Sequence, residues 1–133
     1  MTRFVVDCGA VLHLAEKRIE VPAKHKLLAP TLLRSQTLSA VHEAVQRGEM
    51  PPDAGLELLA RIQAMPVRLL GDAVLRRRAW DLAEQLGWAD TYDAEYLALT
   101  QLQADAFVTL DRELARRVKG IVPTATITAL RTA

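Results

Sequence analysis

Short runs of β-branched residues and leucine alternate with longer stretches of helical period, and this alternation limits the fold more than any other feature of the chain. Phe4-Val5-Val6, Leu27-Leu28-Ala29, Val67 to Leu70 and Ala106 to Thr109 read as strands, with Ile121-Val122 as a short fifth. Helical patterns fill the spaces over about 9–15, 31–47, 52–64, 73–86, 90–103 and 112–118. The clearest follows Asp72. Leu75, Ala79, Leu82, Ala83 and Leu86 recur at i, i+4, i+7, i+8 and i+11, the period of an amphipathic helix. Arg76, Arg77 and Arg78 fall largely off that stripe. Thr31, Asp72 and Asp111 suit N-caps, and Gly48, Gly87 and Gly120 suit left-handed stops. Glu16 to Lys26 is charged and holds Pro22, so it reads as a loop or irregular helix.

Strands separated by helices predict a parallel sheet. The runs are apolar on both alternations, as in strands covered on both faces. The expected fold class is therefore α/β: a three-layer α/β/α sandwich around a short, mainly parallel sheet of four or five strands, with right-handed crossovers.

At 133 residues, one domain over 1–133 is expected. Half of the residues are hydrophobic and a quarter charged, which excludes a disordered chain, a collagen-like chain and a disulfide scaffold. The formal net charge is +1, so an electrostatic site has to arise from local clustering. No apolar run approaches the ~20 residues of a membrane span, and Asp7 interrupts the N-terminal apolar stretch where a signal peptide needs continuity. The expectation is a cytoplasmic protein that keeps its N-terminus. The lone Cys8 reads as a small buried hydrophobe.

Ligands of open parallel sheets bind outside the carboxyl ends of the strands. Asp7 ends the first strand, Asp111 lies two residues beyond the fourth, and Asp93 lies in the first turn of the helix that enters the fourth. If the first and fourth strands are neighbours, the three acids meet at one edge. Each alone reads as a helix cap or a dipole partner; capping does not require that they converge. Clustered carboxylates raise one another's pKa values unless cations neutralise them. Hard oxygen donors without a matching Lys or His suit Mg²⁺ or Mn²⁺. His13, His25 and His42 have no spacing that suggests a zinc site or a His-based dyad.

Phe4-Val5-Val6-Asp7, Leu28-Ala29-Pro30 leading into Leu32 to Ser35, the block Thr91-Tyr92-Asp93-Ala94-Glu95-Tyr96, and Ala106-Phe107-Val108-Thr109-Leu110-Asp111 together resemble the PIN-domain ribonucleases. More narrowly, they are similar to the VapC-type toxins of bacterial VapBC toxin–antitoxin pairs. The resemblance spans essentially the whole chain. It implies a divalent-metal-dependent endoribonuclease with Asp7, Asp93 and Asp111 as ligands of Mg²⁺ or Mn²⁺. It implies that Thr109 orients Asp7, that a cognate VapB-type antitoxin neutralises the protein, and that the subunits form a homodimer. Where the family carries a second acid, a Glu in the helix after Pro30, this sequence has Gln36. A missing unit charge about 4 Å from a divalent ion forgoes roughly 8 kcal/mol of gross attraction at an effective dielectric of 20, which desolvation partly offsets. Glu43 lies about 10.5 Å further along that helix, too far to replace it. Asp90 precedes Asp93 by three residues and reads first as a cap.

RNA requires positive charge along its backbone, and Arg34, Arg112 and Arg116 are the candidates, with Arg117 and Lys119 beside them. Tyr92 and Tyr96 read as packing residues before base-stacking ones. Leu56, Leu58, Leu59 and Ile62 give the helices of 31–64 much apolar surface, for the chain's own core or for the implied antitoxin. Gln36 keeps a second reading open, a catalytically attenuated PIN-like module that binds RNA or antitoxin. A receiver-like domain with a phosphorylated Asp ranks third, because it leaves the Tyr-Asp-Ala-x-Tyr block unexplained.

Overall fold

The computed structural model describes residues 1–131; residues 132 and 133, part of the expected domain span, lie outside the described residues. The chain runs β1 (Thr2–Val6), α1 (Cys8–Glu16), β2 (His25–Pro30), α2 (Leu32–Gln46), α3 (Pro52–Ala64), β3 (Val67–Leu70), α4 (Ala73–Leu86), α5 (Tyr92–Gln103), β4 (Ala106–Val108), α6 (Arg112–Arg117), β5 (Thr124–Ala125) and α7 (Ile127–Arg131). The strands form one sheet in the order β3-β2-β1-β4-β5, and every pairing is parallel. The architecture is the three-layer α/β/α sandwich.

The central strands are buried throughout their apolar runs. Phe4, Val5, Val6, Ala106, Phe107 and Val108 all lie in the core, as expected for strands covered on both faces. The edges are short or charged. β5 has two residues, and β3 carries the exposed Arg68, features that discourage pairing with further chains. α5 packs against β1, β2 and β4 on one side and α4 on the other. It buries Ala94, Tyr96, Leu97, Ala98, Leu99 and Thr100. The two buried threonine hydroxyls are satisfied within their own helices: Thr37 donates to the Leu33 carbonyl at 2.9 Å and Thr100 to the Tyr96 carbonyl at 2.8 Å, the i−4 back-bond that makes a buried threonine tolerable.

The punctuation is largely where the residue chemistry puts it. Asp72 caps α4 through Leu75 N at 2.8 Å. Gly87, at φ 69°, closes that helix in the left-handed conformation that glycine adopts without strain. Two expectations are corrected. Thr31 is itself helical in backbone and makes no side-chain cap. Its N–H instead donates to Leu70 O at 3.2 Å, extending the ladder between β2 and β3. The fifth strand is Thr124–Ala125, not Ile121-Val122. The N–H groups of Ile121 and Val122 both turn back to the Val118 carbonyl, so neither is available to a sheet. Val122 is buried as core instead, and β5 registers Thr124 opposite Phe107.

α3 lies against α2 at Gly55. A Cβ there would stand 2.8 Å from Val45 Cγ2 and 3.4 Å from Val41 Cγ1. A helical valine is stiff at χ1, so the contact cannot be relieved by rotation. Gly55→Ala is expected to cost about 1–2 kcal/mol net. The overpacking penalty of about 1–3 kcal/mol exceeds the gain in helix propensity of up to about 1 kcal/mol. Urea unfolding checks it, and Val45→Ala in the same chain should recover most of the loss.

Candidate functional site

In this strand order the direction of winding reverses between β1 and β4, and the crevice for a ligand lies at that reversal, beyond the carboxyl ends of the strands. Asp7 follows β1 there. It is extended in backbone, caps α1, and its Oδ1 accepts from Ala10 N at 2.9 Å. Asp111 follows β4 and caps α6, accepting from Glu113 N at 3.0 Å and Leu114 N at 3.1 Å. Thr109 joins the two loops. Its hydroxyl hydrogen-bonds the Asp7 carboxylate, and its Oγ1 accepts from Asp111 N at 3.1 Å. Asp93, in the first turn of α5, is the third acid.

The three carboxylates act on one another through their charges. Burial, the largest cause, pushes the Asp7 carboxyl above its ordinary value of 3.8. Asp93 and Asp111 push it the same way, against the hydrogen bonds from Thr109 and Ala10. Burial also raises Asp93, helped by Asp90 and Asp111 and opposed by Arg117. Cys8, beside Asp7, is raised to about 11 by burial and by the charges of Asp7 and Glu43, so its thiol stays protonated at neutral pH and is no nucleophile.

Among the described residues, no three His, Cys, Asp or Glu side chains form a group placed to hold one metal ion. The acids are neighbours in charge but not a closed cage. Their donor chemistry nevertheless fits a hard cation that keeps several waters and takes only one or two carboxylates, the usual habit of Mg²⁺.

Gln36 lies on α2, and its Oε1 accepts from the hydroxyl of the buried Tyr96 at 2.5 Å. The phenol feels the charges of Asp7 and Asp93, so Gln36 belongs to the same neighbourhood. Asp90 is exposed and accepts weakly from Tyr92 N at 3.4 Å. It therefore acts on Asp93 by charge more than as a cap, and α5 begins at Tyr92. Glu43 turns outward to Ser39 at 3.2 Å and Arg47 at 4.0 Å.

The basic candidates divide. Arg112 is exposed at the start of α6, and Arg116 is engaged with Glu113 one turn back. Arg34 lines an apolar groove with Leu33, Leu38, Ile62 and Met65. The arginine that faces Asp93 is Arg117, whose guanidinium sits 4.7 Å over the Trp88 ring. Sequence spacing offers no way to choose it, because α6 is six residues long and Arg112, Arg116 and Arg117 all follow the same acid. Tyr96 was likewise legible as a packing residue but not as the partner of a side chain 60 positions away.

No protein-family model and no curated protein matches the sequence. Solved structures do. PAE2754 from Pyrobaculum aerophilum superposes with a TM-score of 0.73 at 24% identity, covering 97% of this chain and 92% of that one. VapBC-1 from nontypeable Haemophilus influenzae superposes with a TM-score of 0.64 at 11% identity, covering 95% and 98%. The chain has a PIN-like fold, which it shares with these two structures.

Proposed function

We propose that this protein is a divalent-metal-dependent endoribonuclease toxin of the VapC kind, active as a cytoplasmic homodimer and neutralised by a cognate VapB-type antitoxin. What supports the reading is that Asp7, Asp93 and Asp111, from three separate elements, act on one another by charge, and that burial first and this repulsion second raise Asp7 and Asp93. A protein retains such an arrangement at a cost to its stability, which argues for a cationic ligand.

Asp7, Asp93 and Asp111 would hold Mg²⁺ or Mn²⁺, with waters completing the shell. The ion supplies Lewis-acid polarisation of the scissile phosphate and activation of the attacking water. Thr109 keeps the Asp7 carboxylate in one orientation, and the α6 N-terminal amides do the same for Asp111. Arg112 and Arg116 would contact the RNA backbone, and Arg117 adds charge beside Asp93. Arg34 serves RNA only if the strand extends to the α2–α3 side.

The antitoxin surface is the groove along α2 and α3. Leu58 is core at 3% exposure, whereas Leu38 and Leu56 are 57% and 68% exposed. Leu38, Val41, Val45, Leu56 and Leu59 line one continuous apolar trough, the kind of face that receives an amphipathic helix. Among the described residues no helix is long and apolar enough to cross a membrane.

The neutral Gln36 favours a second reading, an attenuated module that binds RNA or antitoxin without efficient cleavage. Incubating the purified protein with a pool of cellular RNAs in Mg²⁺ or Mn²⁺ separates the two. Cleavage that a chelator abolishes supports the nuclease. Folded protein that cleaves nothing with either ion, but gains cleavage on Gln36→Glu, supports the attenuated module.

A further inference from the structure

Gln36 departs from the acidic residue expected at its position, and its hydrogen bond to Tyr96 says which of its two polar atoms meets a ligand. Tyr96 is 2% exposed, and its ring packs at 6.1 Å from Phe107, so the phenol cannot swing away. Its hydroxyl reaches the Gln36 amide at 2.5 Å. The phenol donates and the amide oxygen accepts. The amide oxygen therefore faces the phenol, and the two Nε2 hydrogens point away from it.

This orientation decides the chemistry. The oxygen is uncharged and already accepts a short bond, so an ion with three aspartates nearby gains little from it. The amide N–H₂ group repels a cation and attracts an anionic oxygen. RNA brings such oxygens to the same crevice. We propose that Gln36 is a hydrogen-bond donor to a phosphoryl oxygen of bound RNA, not a ligand of the ion, and that Tyr96 is the positioning residue that holds its amide in that sense. The proposal rests on the nuclease reading and assigns position 36 a role opposite to that of an acid. A carboxylate there would take the Tyr96 bond on one oxygen and offer the other to the ion.

The test measures ion and RNA binding separately. Mn²⁺ affinity is read by electron paramagnetic resonance. Affinity for a short mixed-sequence single-stranded RNA is read by fluorescence anisotropy in Ca²⁺. Gln36→Ala is expected to leave Mn²⁺ binding within about twofold and to weaken RNA binding roughly tenfold, as for a lost hydrogen bond to a charged group. Tyr96→Phe keeps the ring and should weaken RNA binding in the same direction with Mn²⁺ unchanged. Combined with Gln36→Ala it should add nothing, since the two act through one contact. Gln36→Glu should tighten Mn²⁺ and weaken RNA.

A loss of Mn²⁺ affinity of about fivefold or more in Gln36→Ala would make the oxygen a ligand and overturn the proposal. Unchanged RNA binding in Gln36→Ala, or additive losses in the double variant, would overturn it too. If the wild-type protein binds both Mn²⁺ and RNA, those failures concern this inference alone. If it binds neither, the nuclease reading falls and takes the inference with it.

Discussion

Asp7→Asn is expected to abolish metal-dependent RNA cleavage, by about a hundredfold or more, while making the protein more stable at neutral pH. The two effects share one cause. Asn keeps the oxygen that caps α1 through Ala10 N and is as good an N-cap as Asp. What it removes is a partly buried charge facing Asp93 and Asp111. For catalysis that charge is part of the attraction the site would offer a divalent ion, and losing one preorganised electrostatic group commonly costs about 10²–10³ in rate. For stability the sign is opposite. The folded-state pKa of Asp7 lies above its unfolded value, so the folded protein binds the proton more tightly. The stabilisation this gives is complete below the ordinary value of 3.8 and is lost as pH rises through the folded value. Asp93 is raised in the same direction. At neutral pH the charged pair therefore lowers stability.

Urea unfolding without metal, run at neutral and at acidic pH, checks the linkage. The wild-type protein should lose stability relative to Asp7→Asn as the pH rises out of the acidic range. Added Mn²⁺ should raise the melting temperature of the wild type and leave the variant nearly unmoved. Cleavage that survives Asp7→Asn would remove the aspartates from the mechanism.

The largest expected effect on folding is at Phe107. This residue is 0% exposed and lies in the middle of β4, opposite Val5 on one side and Thr124 on the other. Its ring also supports Tyr96. Truncation to Ala should cost about 3–5 kcal/mol, a large share of the 5–15 kcal/mol typical of a whole domain. The consequence reaches the site, because β4 leads directly to Thr109 and Asp111 and its ring neighbour holds Gln36. Phe107→Leu conserves more volume and should cost less than about 1.5 kcal/mol. Denaturant midpoints measure both. A loss below about 1 kcal/mol for Phe107→Ala would show that the core around Tyr96 closes over the gap.

Much of this molecule follows from local rules. The alternation of apolar runs with helical periods was enough for the three-layer sandwich, because a strand apolar on both alternations has to be covered on both faces. Asp7 and Asp111 were legible because each ends an apolar run at the carboxyl side of a strand and starts a helix, a position that serves capping and ligand binding alike. Asp72 and Gly87 bounded α4 for similarly local reasons. The misplaced fifth strand was a local failure: Ile121 and Val122 have strand-forming side chains, but the turn after α6 takes their N–H groups.

What the chain's local chemistry does not contain is contact between distant elements. The order β3-β2-β1-β4-β5 sets β1 beside β4 and makes Asp7 and Asp111 neighbours; the sequence alone left this as a condition. The bond from Tyr96 to Gln36, the stacking of Arg117 on Trp88 beside Asp93, and the bridge that Thr109 makes between two loops all join side chains far apart in the chain. Such pairings carry no periodicity and no motif. They exist because packing brings the elements together, and only the tertiary structure specifies which atoms then meet.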